Sequence, residues 1–243
     1  MIGVLAAGGK GTRLMPMTAF INKHLCPVGL GQLMIDYPLQ TMRDFGFDVV
    51  TIVTGCEHAG QISEYVQDGE KYGFRRVNYE MQPKPAGIAD VVKRVSHLVD
   101  KEGVLLILGD NFFSASQKGS LKDFDGTKAA AWEYGLENVE EAKAFGQIWR
   151  DRFDKPMKIV EKPSMPEHAR ILTGLYFFPA DVVDKVNNLS PSARKELEIT
   201  SLLQLYLEEE RLQVFGVEGG WSDLGEWSNW QKHIFNLELQ GHG

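Results

Sequence analysis

Glycines interleaved with cations, Gly8-Gly9-Lys10-Gly11-Thr12-Arg13, offer the first chemistry in this sequence. Glycines without Cβ atoms let main-chain N–H groups close on an anion, and Lys10, Thr12 and Arg13 add donors and positive charge beside it. The chemistry is that of a phosphate-facing loop. It is not a Walker A loop, because the order Lys10-Gly11-Thr12 puts no Lys directly before the hydroxyl. Nor is it a dinucleotide fingerprint, which needs another glycine where Leu14 stands and an acid about 20 positions later. Arg13 and Lys23 flank the loop. Such cations stabilise charge developing on a transferred phosphorus and its leaving group, although a solvated surface charge is the usual fate of Lys and Arg.

Asp110 and Asp223 each follow an apolar run and precede a turn. Two carboxylates so placed could hold one Mg²⁺ together with phosphate oxygens, or could simply cap turns. Glu161-Lys162-Pro163 ends a strand-like run with adjacent opposite charges, expected to point to opposite faces before proline stops the ladder.

The elements that must position these residues alternate. Ile2–Leu5 reads as a buried strand, Met34–Phe45 as a helix, Val49–Val53 as a strand, His58–Gln67 as a helix and Val77–Met81 as a strand. Two prolines make Gln82-Pro83-Lys84-Pro85-Ala86-Gly87 a rigid loop before a helix over Ile88–Val99. The aliphatic run Val104–Leu108 predicts a central strand buried on both faces. In open α/β sheets ligands lie beyond the carboxyl ends of strands, so Asp110 is expected on the same rim as the glycine loop. Ala129–Tyr134, Gly146–Arg150, Met157–Glu161, Leu172–Phe178 and Leu212–Val217 follow as strands, Ala180–Leu189 and Glu198–Glu210 as helices, and Glu226–Leu239 as an aromatic-rich closing helix. The pattern predicts an α/β fold with a mostly parallel sheet covered by helices, in one domain spanning 1–243.

Composition narrows the function. The 26 Lys and Arg against 33 acidic residues give a net charge of −7, with no basic run suited to a nucleic-acid backbone. Nothing approaches the apolar length of a membrane span, and Met1 leads directly into a strand, so the expected compartment is the cytoplasm. Cys26 and Cys56 read as reduced core thiols, and the His residues, without metal-ligand spacing, as ordinary core or surface residues.

In sequence order, Gly8-Gly9-Lys10-Gly11-Thr12-Arg13, Asn22-Lys23-His24-Leu25-Cys26-Pro27-Val28, Gln82-Pro83-Lys84-Pro85-Ala86-Gly87, Leu108-Gly109-Asp110-Asn111, Phe145-Gly146, Glu161-Lys162-Pro163, Thr173-Gly174-Leu175-Tyr176-Phe177 and Pro191 to Thr200 resemble the sugar-1-phosphate nucleotidyltransferases, closest to the glucose-1-phosphate thymidylyltransferase kind with a shortened C-terminus. Chance matches do not preserve such an order. The resemblance implies a Rossmann-like mixed sheet of the nucleotide-diphospho-sugar transferase type, with helices on both faces. Its nucleotide-binding half would be about 1–125 and its sugar-phosphate half about 126–243.

It implies Mg²⁺-dependent joining of a sugar 1-phosphate, glucose 1-phosphate first, to dTTP or UTP, with release of pyrophosphate. Main chain around Ala6, Gly8 and Gly9 would hold the triphosphate, Gln82 and Gly87 would read the pyrimidine, Arg13 and Lys23 would meet the phosphates, and Asp110 and Asp223 would hold Mg²⁺. Gly146, Glu161 and Tyr176 would face the sugar, while Lys162 and Arg194 would grip its phosphate. The usual Lys-Pro-Met-Ile reads Gln32-Leu33-Met34-Ile35 here, Trp-Leu-Asp-Thr-Gly reads Trp221-Ser222-Asp223-Leu224-Gly225, and Ser201 replaces an acid. Alternatives are a non-catalytic nucleotide-sugar sensor or regulatory subunit of the same fold, or transfer to a non-sugar phosphate acceptor. The closing helix, with Trp227, Trp230 and Phe235, either supports a homodimer or covers the protein's own core.

Overall fold

The computed structural model describes residues 1–122 and 124–240, with side chains to Leu237. The strand β1 (Ile2–Ala7) is followed by a short hairpin of β2 (Pro27–Gly29) and β3 (Gln32–Leu33), the helix α1 (Asp36–Phe45), β4 (Val49–Gly55), α2 (Ala59–Val66) and β5 (Arg76–Gln82). Then come α3 (Ile88–Arg94), β6 (Val104–Leu108), β7 (Asn111–Phe113), β8 (Ala129–Gly135), β9 (Gly146–Arg150), β10 (Pro156–Glu161) and β11 (Arg170–Phe178). The chain closes with α4 (Val182–Asn187), α5 (Ile199–Glu208), β12 (Leu212–Gly216), β13 (Trp221–Asp223) and α6 (Trp227–Gln240).

The seven-stranded sheet has the order β12-β8-β11-β6-β1-β4-β5. β1, β4 and β5 are parallel neighbours, as are β12 and β8, whereas β11 runs antiparallel to β8. The expected mixed, mostly parallel sheet is therefore the one formed. Val104, Leu105, Leu106 and Ile107 of β6 are fully buried, each contributing roughly 1.5–3 kcal/mol of apolar burial, so the unbroken aliphatic run specifies a central strand.

Contacts partition the chain into two compact units. The glycine-loop unit comprises Gly3–Pro85, Ile107–Gly119 and the chain from Glu218 on; the second comprises Met1–Ile2, Ala86–Leu106 and Ser120–Val217. In the glycine-loop unit, Leu14, Cys26, Val28, Met34 and Leu224 form a buried cluster against which Trp230 packs. The indole N–H of Trp230 also donates to Pro27 O at 2.8 Å. This part of the closing helix covers the unit's own core, while Trp227 and Phe235 remain exposed.

Several elements differ from the sequence reading. The helix expected over Ile88–Val99 ends at Arg94, and a separate 3-10 turn spans Ser96–Leu98. The β-branched Val91, Val92 and Val95 are stiff in χ1 and lower the propensity to continue. In addition, β7 and β13, neither of them expected as a strand, pair antiparallel with Asn111 opposite Asp223.

Candidate active site

The loop after β1 owes its path to glycine. Gly11 has φ +65, and a Cβ there would lie 2.7 Å from that of Lys23. Thr18 Oγ1 donates to Gly11 O at 2.7 Å and pins the turn. A Cβ on Gly8 would lie 2.8 Å from Gln82 Oε1, and one on Gly9 3.0 Å from Lys23 Cε. The glycines thus let the backbone pass between the amide of Gln82 and the stem of Lys23. Gly8, Gly9 and Gln82 line a cavity of about 180 Å³ together with Lys10, Cys56 and His58.

β6 delivers Asp110 to this loop, because Gly109 N donates to Ala6 O at 2.9 Å. Asp110 is buried, and Lys23 Nζ donates to its Oδ2. Burial alone would raise the carboxyl, yet the Lys23 ammonium holds it well below the usual carboxylate range. Asp223 arrives on β13 and is equally buried. Burial, and then the charge of Asp110, push its carboxyl up to about 6. Gly225 separates the two acids: a Cβ there would lie 2.8 Å from Asp110 Oδ2 and 3.0 Å from Asp223 Oδ1. The expected pairing of these carboxylates is present in the fold.

Arg13 lies on the same side of the loop, with Nη2 3.9 Å from Asp223 Oδ2 and Nη1 donating to Glu226 Oε1. Burial works against its charge, but Asp223 and Glu226 raise the guanidinium above its ordinary value. Next to Lys23, His24 is buried, with Nδ1 2.7 Å from Asn22 Oδ1. Burial, then Lys23, push its imidazole down to about 3, so it is neutral and its Nδ1–H donates to the amide oxygen. A Cβ on Gly109 would meet its ring at 2.6 Å. His24 is thus a packing block beneath Lys23 and Asp110.

The second unit gathers the other set. β9 and β10 pair with Gly146 opposite Glu161, and Lys162 N donates to Phe145 O at 3.2 Å. Lys162 has φ +45, which swings it out of the strand. Instead of pointing to the opposite face, its Nζ comes within 3.7 Å of Glu161 Oε1. Thr200, in the first turn of α5, donates from Oγ1 to Glu161 Oε2 at 3.1 Å. A Cβ on Gly146 would strike Thr200 Cγ2 at 2.7 Å, so this position requires glycine. Burial raises Glu161, with Lys162 opposing; burial and then Glu161 keep the Tyr176 phenol protonated.

Arg194 is held by three carboxylates: Nη1 lies 3.7 Å from Glu161, Nη2 2.7 Å from Glu196, and Nε 3.1 Å from Glu198. Glu198 is itself buried and accepts from Ser192 Oγ at 2.8 Å. Gly87, expected to accompany Gln82, belongs to this second unit; its φ is +97 and a Cβ there would lie 2.3 Å from Leu197 O.

Sequence reasoning missed Glu226, Thr200, Glu198 and His24. Thr200 and Glu198 lie in the Pro191–Thr200 segment and His24 in the Asn22–Val28 segment, each without a role of its own, and Glu226 lies in none. Cys26 is buried as expected and burial pushes its thiol up to about 11, but Cys56 is exposed on the rim of the 180 Å³ cavity and is not a core thiol. A larger cavity of about 770 Å³, lined by Asp36, Tyr65, Tyr72 and His233, contains none of the expected groups. Among the described residues no helix is long and apolar enough to cross a membrane, and no cluster of three or more His, Cys, Asp or Glu could hold a metal ion.

With this geometry in hand, comparison with known proteins is informative. Residues 2–238 match the nucleotidyl transferase family. A glucose-1-phosphate thymidylyltransferase of Neisseria gonorrhoeae is 35% identical over 228 residues, covering 93% of this chain and 78% of the relative. That of Actinoplanes sp. is 34% identical, covering 93% and 74%. A Bacillus anthracis crystal structure in complex with sucrose, assigned provisionally to the same enzyme, superimposes with a TM-score of 0.89 at 31% identity, covering 97% of this chain and 94% of that one. A UDP-glucose pyrophosphorylase bound to UDP-glucose, at 19% identity with a TM-score of 0.84 over 99% and 100%, shares the fold.

Proposed function

The chain belongs to the nucleotidyl transferase family and is a sugar-1-phosphate nucleotidyltransferase, and from that premise we propose that it joins glucose 1-phosphate to dTTP or UTP with Mg²⁺. The observation that carries the proposal is the convergence, in one unit, of a glycine loop beside Gln82, two cations and a buried carboxylate pair.

In the reaction an oxygen of the sugar phosphate attacks the α-phosphorus in line, the bond from that phosphorus to the β-bridging oxygen breaks, and pyrophosphate leaves. Catalysis is then positioning and charge stabilisation, with no covalent intermediate on the protein. Main-chain N–H groups at Gly8 and Gly9 hold the triphosphate. Lys23 leaves Asp110, and Arg13 turns its Nη2 from Asp223, to meet the phosphates, since a polyphosphate offers each of them a stronger anion. Gln82 presents both a donor and an acceptor, which matches the imide edge of thymine or uracil. In the second unit Lys162 and Arg194 grip the sugar phosphate while Glu161 accepts from its hydroxyls.

The donor set fits Mg²⁺. Asp110 and Asp223 are hard oxygen ligands; burial, and then repulsion from Asp110, raise the Asp223 carboxyl, and a divalent cation would relieve both. Two protein carboxylates, with phosphates supplying the rest, suffice for an ion that is seldom fully caged by protein. Once bound, the ion would neutralise charge on the phosphates.

Pyrophosphate release tests the proposal, using Mg²⁺ and a matrix of dTTP, UTP, CTP, ATP and GTP against several sugar 1-phosphates. Release confined to dTTP or UTP with glucose 1-phosphate is expected. The two pyrimidines differ by one methyl group, which is only about 1–3 kcal/mol of pocket contact, so a preference rather than absolute exclusion is expected between them. Silence throughout, with nucleotide binding retained, would favour a sensor.

A further inference from the structure

Glu226 belongs to none of the groups considered so far, yet its carboxylate receives Nη1 of Arg13. Both ends of this pair rest on firm supports. Leu14, which follows Arg13, and Leu224, two residues before Glu226, are buried in the same apolar cluster. Glu226 O accepts from Trp230 N at 2.9 Å, which fixes its backbone at the start of the closing helix. The side chains themselves are less confined, with Arg13 50% and Glu226 31% exposed. An arginine so exposed would otherwise sample many rotamers, which a ligand must then order.

A guanidinium has five N–H donors in a planar fork. Glu226 occupies one edge through Nη1, and Asp223 stands at 3.9 Å from Nη2, which is ion-pair range but too long for a hydrogen bond. Nη2 therefore stands beside Asp223, and neither it nor Nε is the donor to Glu226. We propose that Glu226 is a positioning residue for Arg13: it clamps one edge of the guanidinium so that the remaining donors are aimed for a polyphosphate. This rests on the nucleotidyl-transfer reading and adds to it a group that contacts no substrate. It also explains why Glu226 lies three residues beyond Asp223, so that one turn supplies both a buried carboxylate and the support for the facing cation.

A double-mutant cycle combined with NMR tests the inference on the full-length protein. Glu226→Ala should lower kcat about tenfold while changing KM for the nucleotide less than about twofold, because a misplaced cation is lost mainly from the transition state. Glu226→Gln, which keeps an oxygen acceptor, should restore most of the rate. In an Arg13→Gln background, Glu226→Ala should have no further effect. Rotation of the Arg13 guanidinium, followed by ¹⁵N NMR without nucleotide, should be at least about tenfold faster in Glu226→Ala than in wild type. An unchanged rotation rate, an unchanged kcat, or a tenfold fall that persists without Arg13 would overturn the proposal. A wild-type protein that releases no pyrophosphate would count against the transfer reading alone, and the rotation rate would still decide the role of Glu226.

Discussion

The two candidate charge clusters, one in each unit, contain the same charges in different settings. In the glycine-loop unit, Asp110, Asp223 and Glu226 hold Arg13 and Lys23; in the second unit, Glu161, Glu196 and Glu198 hold Arg194, with Lys162 also beside Glu161. In the first, two of the carboxylates are buried and Lys23 is nearly so, with 12% of its side chain exposed. In the second, Lys162 and Arg194 remain 45% and 40% exposed. Buried like charges are costly and persist where a ligand compensates them, whereas exposed pairs cost little and exchange partners readily. On the proposed function, one unit is built around a cation and a polyanion, and the other around reversible capture of one phosphate.

Mutation can break the comparison, with the largest effect expected at Asp110. Asp110→Ala should reduce pyrophosphate release by about a thousandfold or more, with little loss of far-ultraviolet circular dichroism. Retention of a tenth of the activity would remove Asp110 from the chemistry.

Asp223 gives the next largest effect, in stability. Its carboxyl is raised by burial and by Asp110, so the folded protein takes up a proton that the unfolded chain releases. That stabilisation is complete below about pH 4 and lost as pH rises through about 6. In metal-free buffer Asp223→Asn should therefore gain on wild type as pH rises between these limits, by a few kcal/mol at neutral pH. Urea titrations at several pH values would measure the gap, and a constant gap would refute the raised carboxyl.

Arg194→Ala should raise KM for the sugar phosphate roughly 10- to 100-fold, the worth of a charge-assisted hydrogen bond, with a smaller change in KM for the nucleotide. Because Arg194 is exposed, wild-type KM for the sugar phosphate should also rise with ionic strength. Equal losses for both substrates would end the division of labour. Thr200→Val, which removes only the donor to Glu161, should cost about 1 kcal/mol and appear as a few-fold rise in the same KM.

Legibility in the sequence followed range. Glycines, the aliphatic run of β6 and the alternation of strands with amphipathic helices are local signals, and they located the loop, Asp110 and the parallel strands. The pairing of β7 with β13 is not local: each is only three residues long, and neither has periodicity enough to predict a strand. Lys162 was misjudged because alternation of side chains assumes extended backbone, and its φ of +45 abandons that geometry. Glu226 had no signal at all. An acid near a helix start is commonplace, and only the fold reveals the arginine opposite.

The β7–β13 pair has a consequence for synthesis. Trp221 Nε1–H donates to Asn111 Oδ1 at 2.6 Å across 110 positions of sequence, and the strand holding Trp221 also holds Asp223. A nascent chain displays its glycine loop and first carboxylate long before the second carboxylate leaves the ribosome. Until then the acidic pair is incomplete, and the core cluster that needs Leu224 and Trp230 is unfilled.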